Sequence, residues 1–282
     1  MKIRYPAVAG AFYEGTKDAL IRRIEWCFKH KLGPGKLPEI SEGKLKSLIA
    51  LVCPHAGYMY SGPVAAHAYY RLALDGKPDS IVLLGPNHTG FGSGLSIMRE
   101  GVWRTPLGDV EIDTELADRI LENSEIIDVD DRGHTHEHSL EVQLPFLQYL
   151  YGRDFKIVPI CFLMQDLESS IEVGLAVTKA VKDSTLIIAS SDFTHYEPQR
   201  VASEKDGKAI EAILKMDIKK FYAAIEEMNM SICGYGPIAA AITAAEKLGV
   251  KSGELLCYKT SGDVTGDFSA VVGYASIAFS KV

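Results

Sequence analysis

No apolar run in this chain approaches the roughly 20 residues that a membrane-spanning helix needs. The opening Met1-Lys2-Ile3-Arg4-Tyr5-Pro6 also lacks the apolar core of a secretory leader. A cytoplasmic protein without a membrane partner is the expectation. Cysteine is sparse. Cys27, Cys53, Cys161, Cys233 and Cys257 are odd in number and form no C-x-x-C pair, which excludes a disulfide scaffold, a zinc ribbon and a thioredoxin-type motif. Positive charge is not in surplus either. The 30 Lys and Arg residues are scattered among 37 Asp and Glu, for a formal charge of −7, and without a basic stripe nucleic acid is not an expected partner. Amides are few: only Asn87, Asn123, Asn229, Gln143, Gln148, Gln165 and Gln199 stand beside abundant Lys and Glu, a bias that accompanies thermophilic proteins. Common catalytic templates are missing as well. The chain has no G-x-x-x-x-G-K-[ST], H-E-x-x-H or G-x-S-x-G, and Gly90-x-Gly92-x-Gly94 is too poor a match to serve as a phosphate loop.

What is present is ample apolar material, 47% of 282 residues, with no repeat, low-complexity tract or compositional step to divide it. Residues 1–282 read as one domain. Thr16 is placed to cap a helix over residues 17–30, with Leu20, Ile24, Cys27 and Phe28 on one face. A loose surface connection follows at 33–43, then a strand at 47–52, a helix at 62–74 and a strand at 80–84. This is a βαβ unit, for which parallel pairing of the two strands by a right-handed crossover is predicted. Residues 86–113 look irregular and Gly-rich, and a loop of that length in a compact domain is expected to be functional. Helices are predicted near 115–121, 166–181, 202–216, 218–228 and 237–249, and strands near 155–161, 185–189, 255–260 and 270–279. The alternation argues an α/β fold, a mostly parallel doubly wound sheet flanked by helices.

Three of these strands end in polar clusters: Cys53-Pro54-His55-Ala56-Gly57-Tyr58, Gly85-Pro86-Asn87-His88-Thr89-Gly90, and Ser190-Ser191-Asp192-Phe193-Thr194-His195. In an open parallel sheet the ligand crevice lies at the carboxyl ends of the strands, so the three can converge on one pocket. His55 and His88 are candidate metal ligands, because neutral imidazole is the commonest protein ligand and both sit in Gly- and Pro-bearing turns. Cys233, directly before a helix expected to start at Pro237, would have its thiolate favoured by the helix end. Cys27, Cys161 and Cys257 lie in apolar patterns and read as core, while Cys53 stands two residues from His55 and reads either way. In the run 133–141, His134 and His136 read as loop residues. Ser139 is expected to cap a helix carrying Glu141, which would place His138 beside Glu141 as a general base and its orienting carboxylate. Asp192 and His195 form a second candidate acid-base pair, with the N-cap as the alternative role for Asp192.

Taken together, Pro6-Ala7-Val8-Ala9-Gly10-x-Phe12-Tyr13, Pro54-His55-Ala56-Gly57-Tyr58, Gly85-Pro86-Asn87-His88, Glu137-His138-Ser139-Leu140-Glu141, Ser191-Asp192-Phe193-Thr194-His195 and Thr260-Ser261-Gly262-Asp263 resemble the Memo family over nearly the whole chain. The resemblance implies a fold like that of the class III extradiol dioxygenases, non-haem iron enzymes that open catechol rings. It implies His55, His88 and Cys233 around a transition metal, iron or copper before zinc, with His138, Asp192 and His195 nearby. The dioxygenases use two histidines and a carboxylate. A thiolate at the third position is softer and open to oxidation, which sets the implied site apart from ring cleavage. Animal members are described as adaptors in receptor-kinase signalling with metal-linked redox behaviour. Prokaryotic members are often encoded beside a radical-SAM protein and an AMMECR-type protein. Three readings follow: a metal-dependent oxidoreductase, a binding module that holds a small molecule or peptide in the same pocket, and a hydrolase using metal-bound water.

Overall fold

The computed structural model describes residues 2–281, so both ends of the expected 1–282 domain lie outside the described residues. The elements run β1 (Ile3–Arg4), α1 (Lys17–Lys29), β2 (Leu48–Cys53), α2 (Gly62–Asp75), β3 (Ser80–Pro86), β4 (Leu95–Ile97), β5 (Val102–Thr105), β6 (Gly108–Ile112), α3 (Thr114–Leu121), β7 (Asp128–Val129) and α4 (Arg132–Thr135). They continue through α5 (Leu144–Tyr151), β8 (Lys156–Phe162), α6 (Leu167–Ala180), β9 (Thr185–Ser190), β10 (His195–Glu197), α7 (Gln199–Leu214), α8 (Ile218–Glu227), α9 (Tyr235–Lys247), β11 (Gly253–Thr260), α10 (Ser261–Thr265) and β12 (Val271–Ser280).

One mixed sheet in the order β1-β5-β6-β8-β3-β9-β2-β12-β10 carries the fold. Its centre, β6 to β2, is wholly parallel. Within it β8, β3, β9 and β2 are apolar on both faces, as a sheet covered on both sides demands. On β3, Val82 and Leu84 face the layer of α3, α6, α7, α8 and α9, while Ile81 and Leu83 face that of α1, α2 and α5. The doubly wound α/β architecture expected from the alternation is the one found.

Two expectations change. β2 and β3 do not pair with each other, because β9 lies between them, with Ile187 beside Ala50 on one side and Val82 on the other. The four residues 186–189 are buried throughout and suit a central position. The stretch 86–113 is not irregular throughout: it contains β4, β5 and β6, strands of three to five residues. Strands so short leave too little alternation to read, and Gly101 and Gly108 interrupt it at φ of 114° and 123°.

His134 is a third correction. It is not a loop residue: it sits in α4, wholly buried beneath Trp103. Its Nε2–H donates to the Ser96 carbonyl at 3.0 Å, which leaves Nδ1 to accept from the Cys161 thiol at 3.4 Å. Burial first, and then the Arg4 charge, push its pKa down to about 4 from 6.5. The unfolded chain therefore takes up this proton before the folded one does, and stability is lost as pH falls from about 6.5 towards 4. The shift corresponds to a loss on the order of 3 kcal/mol. Denaturant unfolding at pH 7 and pH 4.5 should show a smaller pH loss for His134→Gln than for the parent chain; equal losses would refute the assignment.

Candidate metal centre

The carboxyl ends of β2, β3 and β9 lie side by side, and the chain leaves each of them within a few residues of a histidine or aspartate. His55 follows β2 and is buried. Its Nδ1 lies 2.9 Å from the Ser190 hydroxyl, which gives its own hydrogen to the Ser139 carbonyl at 2.7 Å and accepts from Gln143 Nε2 at 2.8 Å. Ser190 can therefore only accept from the ring, so His55 carries its hydrogen on Nδ1 and presents a bare Nε2.

His88 follows β3 and is held the same way by a different partner. Its Nδ1 lies 2.9 Å from Glu137 Oε1, and its backbone N–H donates to Glu137 Oε2 at 2.5 Å. Oε1 also accepts from the backbone N–H groups of His138 and Ser139 at 2.9 and 2.8 Å. Burial pushes this carboxyl up, but the bonds from His88 and from the backbone outweigh it and hold the pKa at about 2. An ionised Glu137 fixes hydrogen on His88 Nδ1 and leaves its Nε2 bare. Cys233, one residue before the N-cap of α9, places Sγ 3.2 Å from His55 Nε2. Gly234 lets that turn close, since a Cβ there would lie 2.4 Å from the Ser190 carbonyl oxygen. The ligand atoms of His55, His88 and Cys233 fall within 4.8 Å of one another.

His138 completes the cluster. Its ring stacks on His88 with centroids 4.7 Å apart, stands 5.5 Å from His55, and is covered by Phe12 at 4.7 Å. Burial lowers its pKa, and burial together with the neighbouring imidazoles lowers that of His55 further. His55 and His138 are thus held in the neutral form at pH 7.

Several pairings differ from those expected. Glu137, not Glu141, is the carboxylate at His138, its Oε1 standing 3.4 Å from His138 Nδ1. Glu141 is fully buried beneath the N-terminal segment, where it pairs with Arg4 and accepts from Tyr13 Oη at 2.5 Å and from the backbone of Ala7 and Val8 at 2.7 and 3.1 Å. Ser139 caps nothing; its hydroxyl donates to the Pro86 carbonyl. Asp192 does not bond to the His195 ring. It is buried, accepts from the backbone N–H groups of His55 and Ala56, and burial raises its pKa to about 6. His195 turns Nδ1 to the Ser231 carbonyl at 2.9 Å. The helix end does not make Cys233 a thiolate, because burial and then Asp192 push the thiol up. Helix α9 begins at Tyr235, with Pro237 its third residue. Cys27, Cys53 and Cys161 are buried core, whereas Cys257 is only half-buried. Sequence reasoning missed Glu137 and Ser190, although Glu137 sits directly beside His138.

Residues 4–278 match the family described as Memo-like protein. The chain belongs to the Memo-like family. It is 52% identical to a MEMO1 family protein of Methanopyrus kandleri, covering 99% of each chain. It is 53% identical to one of Methanothermobacter thermautotrophicus, covering 98% of this chain and 100% of the other. The crystal structure of an uncharacterized protein from Escherichia coli K12 shares the fold, with a TM-score of 0.55 at 16% identity over 82% of this chain and 99% of that one. No helix of the described residues is long and apolar enough to cross a membrane.

The environment of Glu141 makes a direct prediction for this Memo-like chain. Glu141→Gln leaves the Arg4 guanidinium buried without its counter-charge, which costs about 3–5 kcal/mol. Chemical denaturation should register that loss. A variant as stable as the parent would mean that Glu141 does not anchor the N-terminal segment.

Proposed function

We propose that the protein binds one transition-metal ion, iron or copper before zinc, through His55, His88 and Cys233, and acts as an oxidoreductase of the Memo family. One observation carries this reading. Both imidazoles have Nδ1 committed to an acceptor, Ser190 for His55 and Glu137 for His88, so that two bare Nε2 atoms and one sulfur are left facing a common space. The partner of His55 Nε2 is the Cys233 sulfur that would join it as a ligand, so a metal would displace a thiol proton and no other hydrogen bond of that ring. Two imidazoles and a thiol fit copper, iron or zinc and do not suit magnesium or calcium, which prefer oxygen.

When bound, such a metal supplies electron exchange and polarises an oxygen brought against it. The remaining work falls to side chains. His138, with Nδ1 towards Glu137 and Phe12 shielding one face, has Nε2 left to take or return a proton. His195, with Nδ1 directed at a carbonyl, likewise keeps Nε2 for proton transfer at the rim. Asp192 holds the backbone at His55 and Ala56, fixing the direction in which the His55 ring leaves β2. This positioning role replaces a direct part in acid-base chemistry, and Glu141 acts one step further out as the anchor of the N-terminal segment.

Protein purified without chelators or a histidine tag should carry about one equivalent of metal by elemental analysis, and single replacement of His55, His88 or Cys233 by Ala should remove it. Retention of full metal by the triple variant would end the proposal. His138→Ala is expected to keep metal content and thermal midpoint while lowering turnover by on the order of 10² to 10⁴, the range for general acid-base catalysis. Residual turnover that merely follows the folded fraction would favour the non-catalytic binding module instead.

A further inference from the structure

Among the described residues four that are not glycine adopt positive φ: Ser184, Tyr196, Met216 and Asn229. Three of them have a local reason. Met216 and Asn229 follow the ends of α7 and α8, where a left-handed residue closes the helix, and the next N–H groups return to the Ala212 and Ile225 carbonyls. Ser184 makes the tight turn into β9, its hydroxyl bonded to the Lys77 carbonyl. Tyr196 has no such reason. It lies inside the edge strand β10 at φ 59°, at the bulge where the pairing with β12 slips between His195 and Glu197.

A bulge of this kind is normally made by glycine, and a bulky residue there is a genuine outlier held at a cost in stability. The side chain recovers little of that in the fold, because it is 78% exposed and its hydroxyl has no hydrogen bond among the described residues. Its ring stands edge-on to His195 with centroids 5.8 Å apart. Each histidine-bearing strand-end loop also carries an exposed aromatic a few residues on: Tyr60 after His55, Phe91 after His88 and Tyr196 after His195. The His195 backbone N–H and Nδ1 are both bonded to Ser231, two residues before Cys233, so the Tyr196 ring that packs on His195 stands beside the turn that brings in the Cys233 sulfur.

We propose that Tyr196 is a specificity-determining residue of this site, a platform beside the metal cluster on which a planar aromatic ligand stacks while its polar head reaches the metal. The inference rests on the metal reading above. Strain at the bulge is retained because it aims the ring outward beside His195, in a direction that a residue of ordinary φ at this point of the strand would not give.

The test titrates zinc-loaded protein calorimetrically with acetohydroxamate and benzohydroxamate, which share a metal-binding head and differ in carrying a methyl or a phenyl group. The readout is the ratio of their affinities. The parent chain and Tyr196→Phe should prefer the phenyl compound by roughly tenfold, in line with one aromatic contact, and Tyr196→Gly should reduce that preference to about twofold. The thermal midpoint of Tyr196→Gly should be unchanged or raised, since glycine tolerates this φ. Tyr196→Asn, which also tolerates it, supplies a second variant with the same expected ratio. An unchanged ratio in both variants overturns the inference while leaving the metal site standing. Unfolding of both variants makes Tyr196 structural and overturns it too. If neither compound binds the parent chain in a zinc-dependent way, the metal reading fails and this one falls with it.

Discussion

The Glu137 carboxylate is 1% exposed and still keeps its charge, because the His88 ring and the backbone N–H groups of residues 88, 138 and 139 all donate to it. Ionised carboxylates are expensive to bury, and only a full set of donors makes it possible. That one charge ties the loop after β3 to the turn before α5 and sets the hydrogen on His88. It also provides a face against which His138 is held. With a neutral acid in its place, His88 would be free to change tautomer and the bare Nε2 atoms would no longer be assured. Ser190 does the corresponding task for His55 by being compelled to accept, its only hydrogen being spent on Ser139. Two different chemistries, a charge and a saturated hydroxyl, leave both rings in the same state.

The parallel centre of the sheet explains why these residues meet. Strands apolar on both faces cannot end in solvent-averse side chains, so the sequence changes character abruptly where β2, β3 and β9 stop, and the polar residues collect at one edge. Polar atoms there are buried by neighbouring loops, which in turn need partners. Arg4 illustrates the consequence: its guanidinium reaches Glu141 and the carbonyls of His134 and Glu137, so the N-terminal segment becomes a wall of the site and delivers Phe12 to His138.

Much of this was legible in the residues, and the limit is physical. Long elements announced themselves by period: α1, α6 and the strands β8, β9 and β12 lie within a residue or two of where alternation and helical spacing put them. Strand order was not legible, since β2, β3 and β9 are equally apolar and nothing local says which is central. His55, His88 and Cys233 could be named because loop position and residue type suffice, whereas tautomer and partner do not follow from spacing. Glu137 and Glu141 flank the same histidine, and helical spacing favours Glu141. The choice is made by Arg4 and Tyr13, more than a hundred residues away, which claim Glu141 and leave Glu137 to the histidines. Asp192 and His195 are a similar case, their three-residue spacing suggesting a pair that the backbone N–H of His55 and the Ser231 carbonyl divide between them.

Charge balance is the remaining constraint on what can occupy the cluster. Protons are kept off His55 and His138 by burial, and Cys233 holds its own proton against His55 Nε2. A divalent ion held by the proposed ligands His55, His88 and Cys233 would take the place of that proton, would be offered a thiolate, and would stand in front of the ionised Glu137 behind His88, with Asp192 able to ionise near pH 6. The thiolate that burial disfavours in isolation would become the favoured form with a cation beside it. The same burial that makes Cys233 a poor nucleophile alone would therefore not bar it from ligating a cation, and the backbone N–H of Asp192, 3.2 Å from the sulfur, would support the thiolate.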